Sequence, residues 1–96
     1  MIKKIDGCFH FSGNVKLETV ARNVIDGASI FEGDMKEVDI DFSEIISSDS
    51  SVVSLMLSWF REAKRRGLVI NYRNLGDSEK SLIKLYGLDG ILPVSE

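Results

Sequence analysis

The sequence contains one cysteine, one proline and one histidine, and it has no long run of apolar residues. A single cysteine, Cys8, excludes an internal disulfide and any metal site built on several cysteines. No apolar stretch approaches the ~20 residues that a membrane-spanning helix needs, and residues 1–6 lack the apolar core of a signal peptide. The net charge of −3 provides no basic surface for nucleic acid. These absences favour a cytoplasmic protein without direct membrane insertion.

Length and composition favour one folded domain. The chain has 96 residues, of which 44% are hydrophobic and 28% are charged. This is the composition of an ordinary globular protein, and the length suffices for one core but not for two. We therefore expect residues 1–96 to form a single domain.

Strands are predicted at both ends and in the middle of the chain. Asp6-Gly7 between two short apolar runs is a strong hairpin signal, because both central residues of a type I′ turn need positive φ. Residues 38–42 alternate apolar and acidic side chains, as in a half-exposed strand. Residues 68–72 form a continuous apolar run typical of a parallel sheet interior, and Pro93 indicates an edge strand.

Two helices are predicted from apolar residues that recur at three- and four-residue spacing. The first ends at Gly27, and Asn23 falls on its polar face. Its predicted inward residues are Leu17, Val20, Ala21, Val24 and Ile25. The last helix opens at Gly76 and ends at Gly87. Its predicted inward residues are Leu82, Leu85 and Tyr86.

The most apolar segment is a helix predicted over residues 52–66. At 100° per residue, its apolar side chains cover an arc of roughly 200°. A helix that lies on a sheet needs little more than half of that arc. We therefore expect one flank, carrying either Leu57 and Val53 or Leu55, to be covered by a neighbouring helix or by another protein.

A hydroxyl-rich stretch, residues 46–53, joins the middle strand to this helix. Four serines and Asp49 fall in five consecutive positions. Asp and Ser are preferred N-cap residues, which accounts for one or two of them. A helix N-terminus also favours an anion, so a phosphorylated serine would lie in a favourable field there. The two interpretations are a polar capping loop and a displayed site.

Catalysis has little support in the sequence. His10 is the only histidine, and between Phe9 and Phe11 it is better explained as a packing or edge residue than as a base or ligand. Asp39 and Asp41 share one strand face, which favours a solvated surface over an acid–base pair. Ser50 lacks a visible general base. We expect no enzymatic activity, no catalytic or metal-binding residue and no cofactor.

The order of these motifs resembles the STAS domain. The resemblance rests on a strand followed by Asp41-Phe42-Ser43, on Asp49-Ser50-Ser51, and on a long apolar helix that ends in residues 63–68. It extends from about Phe11 to Pro93. The family includes bacterial anti-sigma-factor antagonists and the MlaB-type subunit of the Mla phospholipid transporter. It implies an α/β fold with a mixed sheet of about four to five strands and three helices.

The resemblance also implies a site. In the antagonists, the serine that follows the aspartate is phosphorylated by a partner kinase, and that serine corresponds to Ser50. In MlaB-type proteins, the same place lies in the surface that docks on the cytoplasmic ATPase subunit. The residues expected to contact a partner are Ser48, Asp49, Ser50, Ser51 and Ser54.

Three features bear on the choice between these branches. Residues 85–93 resemble the ends of MlaB-type chains, and Lys16 replaces an acidic residue that antagonists commonly carry. Val52 replaces the usual Gly or Ala and would crowd close contact. We therefore expect an MlaB-type subunit that binds the ATPase of an ABC transporter. The alternative is an antagonist that is phosphorylated on Ser50 by a serine kinase and binds an anti-sigma factor.

Overall fold

A computed structural model describes residues 1–95, which form a five-stranded mixed sheet with three α-helices. This confirms the predicted α/β architecture. The elements in chain order are β1 (Ile2–Ile5), β2 (Cys8–Val15), α1 (Val20–Asp26), a 3-10 helix (Gly27–Phe31), β3 (Glu37–Ser48), α2 (Ser51–Arg65), β4 (Val69–Arg73), α3 (Asp77–Leu85) and β5 (Val94–Ser95).

The strands lie in the order β1-β2-β3-β4-β5. β1 and β2 form an antiparallel hairpin, and each later neighbour pairs in parallel. Asp6 and Gly7 both have positive φ, 51° and 80°, as a type I′ turn requires. β5 follows Pro93 and lies at the sheet edge beside β4, so the predicted hairpin and edge strand are confirmed.

The core lies between one face of the sheet and the helices. Four aromatic rings form its centre, with Phe11 at 5.5 Å from Trp59 and Phe42 at 5.4 Å from Tyr72 between ring centroids. Tyr72 is fully buried and donates its hydroxyl hydrogen to the carbonyl oxygen of Met56 in α2, at 2.7 Å. This bond ties α2 to β4 and satisfies a buried polar group.

The opposite face of the sheet, here called the open face, is polar. Successive residues of a strand point to opposite sides of the sheet. The residues that alternate with the buried apolar ones in β3 and β4 therefore face outward. The Arg73 guanidinium lies 3.3 Å from the Asp39 carboxylate, and the Asn71 amide donates to Glu37 at 3.1 Å. Within the described part of the chain, no helix is long and apolar enough to cross a membrane.

Helix α1 differs from the prediction. Leu17 lies outside it and is 77% exposed, Ile25 is 71% exposed and Ala21 is exposed, whereas Asn23 is buried. The Asn23 amide donates to the Asn14 carbonyl oxygen at 3.1 Å, so a polar residue faces inward. The prediction placed Asn23 outside because the apolar period alone could not reveal this bond.

Helix α3 is also rotated relative to the prediction. Its buried residues are Glu79 and Ile83, which are four positions apart, whereas Leu85 and Tyr86 are exposed. Glu79 faces inward because its carboxylate accepts hydrogen bonds from Gly76 N–H and from a serine of β3. The residue one turn later therefore faces inward too, and of the predicted residues only Leu82 is partly buried against the core.

Candidate partner-binding site at the start of helix α2

Asp49 organises the segment between β3 and α2. One carboxylate oxygen accepts a hydrogen bond from Ser51 N–H at 2.8 Å, and the other accepts from Leu17 N–H at 3.1 Å. The Asp49 N–H donates to the Val15 carbonyl oxygen at 3.0 Å. Asp49 therefore fastens the loop after β2 to the first turn of α2, and its side chain is used inside the protein.

These bonds favour the ionised form of Asp49. The hydrogen bond from Ser51 N–H is the largest influence, followed by a smaller opposing effect of burial and then the bond from Leu17 N–H. Together they hold the pKa of the Asp49 carboxyl below its ordinary value of 3.8. The carboxylate form is thus favoured by folding.

We expect this carboxylate to make stability depend on pH. Because the folded-state pKa is lowered, the ionised carboxylate stabilises the folded state at pH values above the ordinary pKa. This stabilisation is lost as the pH falls through the folded-state pKa. Urea unfolding of the wild type should give a lower midpoint at about pH 3 than at about pH 7. Asp49→Asn should show a smaller decrease, because its amide does not titrate. Equal decreases in both proteins would contradict this assignment.

Two of the other predicted site residues are also held within the fold. The Ser48 hydroxyl donates to the Glu79 carboxylate at 2.7 Å and so joins the end of β3 to the first turn of α3. Ser51 is half-buried at the first position of α2. Ser48, Asp49 and Ser51 therefore have structural roles in this conformation.

Ser50 and Ser54 point to the outside. Ser50 is the N-cap residue of α2 and is exposed, and its side chain makes no capping hydrogen bond within residues 1–95. Ser54 is exposed one turn later. Of the five residues expected to contact a partner, these two are the exposed ones.

A groove runs along α2 from Ser50 and has a volume of about 340 Å³. We call it the α2 groove, and its lining residues are Ser50, Val53, Ser54, Leu57, Ser58, Arg61 and Tyr86. Leu57 is half-buried and Tyr86 is 54% exposed, whereas Leu55 is fully buried. The open flank of α2 is therefore the one that carries Leu57.

Sequence reasoning missed Arg61 and Tyr86 as parts of this groove. Tyr86 was predicted to point inward, and it reaches the groove from the end of α3. Arg61 lies two helical turns after Ser54, so helical spacing from Ser54 could have identified it. Val52 is fully buried and so does not crowd this surface, which corrects the expectation drawn from its β-branched side chain.

Comparison with known proteins gives one family. A family model described as "Mlab, STAS domain" matches residues 5–93. The chain belongs to this STAS family. STAS domains are typical protein-interaction modules, so an exposed groove at the start of α2 is a reasonable place to look for a contact surface.

The fold of this STAS domain is similar to a solved structure of the anti-sigma factor antagonist SpoIIAA in its unphosphorylated form. The TM-score is 0.70 and the sequences are 17% identical, with 100% of this chain and 87% of the SpoIIAA chain covered. At this identity the similarity concerns the fold. No curated protein matches the chain by sequence.

Proposed function

We propose that this STAS domain is a non-enzymatic cytoplasmic subunit that binds and supports the ATPase of an Mla-type phospholipid-transporting ABC complex. The observation that carries the proposal is the match of residues 5–93 to the Mlab family. The α2 groove supports it, because it combines apolar side chains with the exposed hydroxyl groups of Ser50 and Ser54.

The composition of the groove fits a protein partner. Leu57 provides apolar surface beside the buried Val53, and Tyr86 and Arg61 belong to the residue types enriched at energetically important interface positions. Ser50, Ser54 and Ser58 add small polar groups that permit close approach. A partner that covers this groove would also bury the exposed part of Tyr86.

The mechanism we propose is stabilisation of one conformation or assembly state of the ATPase. A bound subunit shifts such an equilibrium only by the difference in its binding free energy between the two states. In this proposal the α2 groove supplies that difference, and the STAS domain itself carries no reacting group.

We expect Ser50→Asp to lower the affinity for the ATPase subunit at least about tenfold, or about 1.4 kcal/mol. Ser50 is exposed at the edge of the groove. The new carboxylate would therefore lose its water in the complex without a positive charge placed to compensate it. Aspartate is itself a good N-cap residue, so the folded state of the free domain should not be weakened. Titration calorimetry with the purified ATPase subunit measures the change.

The matched control is Ser81→Asp, which makes the same substitution at an exposed position of α3 that does not line the groove. It should bind as the wild type does. Equal affinities of the wild type and Ser50→Asp would remove Ser50 from the interface.

The second candidate function is an anti-sigma-factor antagonist that is switched by phosphorylation of Ser50. It is favoured by the fold similarity to SpoIIAA and by the exposed Ser50 hydroxyl. A phosphate of charge near −2 at Ser50 would repel an acidic partner surface. Incubation in cell extract discriminates the two candidates, because a mass increase confined to the peptide that contains Ser50 would favour the antagonist.

A further inference from the structure

A cluster of metal-ligating side chains lies on the open face of the sheet, away from the α2 groove. The Cys8 sulfur, a ring nitrogen of His10 and a carboxylate oxygen of Asp41 all lie within 4.8 Å of one another. The strand register explains this arrangement, because His10 pairs with Asp41 across β2 and β3. Cys8 is two residues before His10 and therefore points to the same side of the sheet.

A bulge in β3 adds a second carboxylate to this cluster. His10 pairs with Asp41, but Ser12 pairs with Glu44, so β3 has one extra residue between these pairs. In a regular strand, residues three apart point to opposite faces, whereas a bulge can return the second one to the first face. Glu44 consequently lies beside His10, with its carboxylate oxygen 3.5 Å from His10 Nδ1.

The contacts within the cluster are close but incomplete. His10 Nδ1 lies 3.9 Å from the Asp41 carboxylate as well as 3.5 Å from Glu44, and both distances exceed the usual range of about 2.7–3.2 Å for an N–H···O hydrogen bond. Asp41 is oriented by hydrogen bonds from Ser43 N–H at 2.7 Å and from the Asn74 amide at 2.8 Å. Such outer partners are what hold a carboxylate ligand in place.

The electrostatic surroundings favour a cation. The carboxylates of Asp41 and Glu44 both lie close to His10, and Asp39 pairs with Cys8 across β2 and β3. Asp39 also has a buried carboxylate oxygen without a hydrogen-bond partner among the described residues, although the Arg73 guanidinium is 3.3 Å away. A divalent ion between the sulfur and the carboxylates would replace the thiol proton and offset this excess negative charge.

We propose that Cys8, His10, Asp41 and Glu44 form a binding site for a divalent transition metal ion, with Zn²⁺ as the best-fitting ion. Thiolate, imidazole and carboxylate are the three ligand classes that Zn²⁺ accepts, with bonds of about 2.0–2.3 Å in a tetrahedral arrangement. The ligand atoms of Cys8, His10 and Asp41, which lie within 4.8 Å of one another, need to approach by about 1 Å to reach this arrangement. Glu44 is more than half exposed, so it can move to complete the site.

The site would join β2 to β3 on the side of the sheet opposite the helices. It goes beyond the proposed function, because none of its residues lines the α2 groove. Metal binding and ATPase binding can therefore be tested separately, and the failure of one leaves the other standing.

The experiment is a titration of the reduced 96-residue chain with Co²⁺ and with Zn²⁺. We expect one ion per chain, thiolate-to-cobalt charge-transfer absorption on Co²⁺ addition, and displacement of Co²⁺ by Zn²⁺. Cys8→Ser should abolish that absorption. His10→Gln and Glu44→Gln should each lower the Zn²⁺ affinity at least about tenfold. Mutation of a residue that only hydrogen-bonds to a metal ligand already has an effect of about this size, and loss of the ligand itself should cost at least as much.

The matched control is Glu37→Gln. It removes one carboxylate from β3, the strand that carries Asp41 and Glu44, and leaves the proposed ligands unchanged. It should leave the Zn²⁺ affinity within about twofold of the wild type, since screened surface charges have small effects. Circular dichroism of each variant confirms folding. The proposal is overturned if Co²⁺ gives no saturable charge-transfer absorption, or if that absorption survives in Cys8→Ser. Unchanged Zn²⁺ affinity in Glu44→Gln would overturn the place of Glu44 as a ligand.

Discussion

Replacing Gly27 by alanine is expected to lower the free energy of unfolding by about 3 kcal/mol. Gly27 follows α1 and is buried. A Cβ atom added there would lie 2.3 Å from Nε1 of Trp59 and 2.4–2.5 Å from two ring carbons. These distances are far below van der Waals contact, so either the indole or the helix must move.

The indole has little freedom to move. Trp59 is 1% exposed, and its ring contacts Phe11 and Phe42 at centroid distances of 5.5 Å and 6.4 Å. Its Nε1–H donates to the Val24 carbonyl oxygen at 3.3 Å. A shift of the ring would therefore disturb the aromatic centre of the core and a buried hydrogen bond at once.

The direction of the stability change in Gly27→Ala distinguishes two physical effects. Gly27 has a helical φ of −76°, and at such a position a Gly-to-Ala change without a clash stabilises a protein by about 0.4–1 kcal/mol. Chain entropy and core packing therefore predict opposite outcomes. The packing effect should dominate, because the added Cβ atom would overlap the buried Trp59 ring.

Urea unfolding monitored by circular dichroism measures the change. Ser29→Ala is the matched control, because Ser29 is exposed in the same 3-10 helix, and it should change stability by less than about 0.5 kcal/mol. Adding Trp59→Phe to Gly27→Ala should cost less than the sum of the two single changes, since the smaller ring relieves the overlap. Additive losses would contradict a direct contact between Gly27 and Trp59.

If the proposed function holds, Ser54→Arg is expected to weaken binding to the proposed ATPase partner at least about 100-fold, which corresponds to about 2.8 kcal/mol. Ser54 is exposed in the first half of α2 and lines the α2 groove. An arginine side chain there would fill space that the partner occupies and would add a charge near Arg61 in the same groove. An interface core that excludes water tolerates neither change.

Ser81→Arg is the control for this prediction, because it introduces the same side chain at an exposed position of another helix, outside the groove. Its affinity should equal that of the wild type. Hydrogen exchange provides an independent measurement, since complex formation should slow exchange within residues 48–58. Normal affinity of Ser54→Arg, together with unchanged exchange in that segment, would show that the partner binds elsewhere.

The candidate site shows how far local sequence can go. The cluster of serines around Asp49 predicted a polar helix start, and α2 does begin at Ser51. The sequence could not separate the outward Ser50 from the inward Ser48, because that difference depends on Glu79, which is 31 residues away along the chain. Likewise, the role of Asp49 depends on the backbone of Leu17, 32 residues away.

The helix faces show the same limit. Apolar spacing placed Leu17 and Ile25 inward, yet both are exposed because α1 begins late and Asn23 turns toward the core. The excess apolar arc of α2 was a better guide, because it predicted an incompletely covered flank, and the structure places the α2 groove along Leu57. When the apolar arc of a helix is wide, a small error in its predicted rotation changes few assignments of buried residues. In a short amphipathic helix, the same error moves residues from the buried face to the exposed face.

By itself, the sequence determined the kind and order of the strands and α-helices, because hydrophobic period, turn residues and caps act over a few neighbouring positions. Only the tertiary structure decided which polar side chains form hydrogen bonds within the fold and which are exposed on the surface. It also brought Glu44 beside His10 through a bulge in β3. These outcomes depend on hydrogen bonds and strand register between distant segments, and buried polar groups must find such partners wherever the fold brings them.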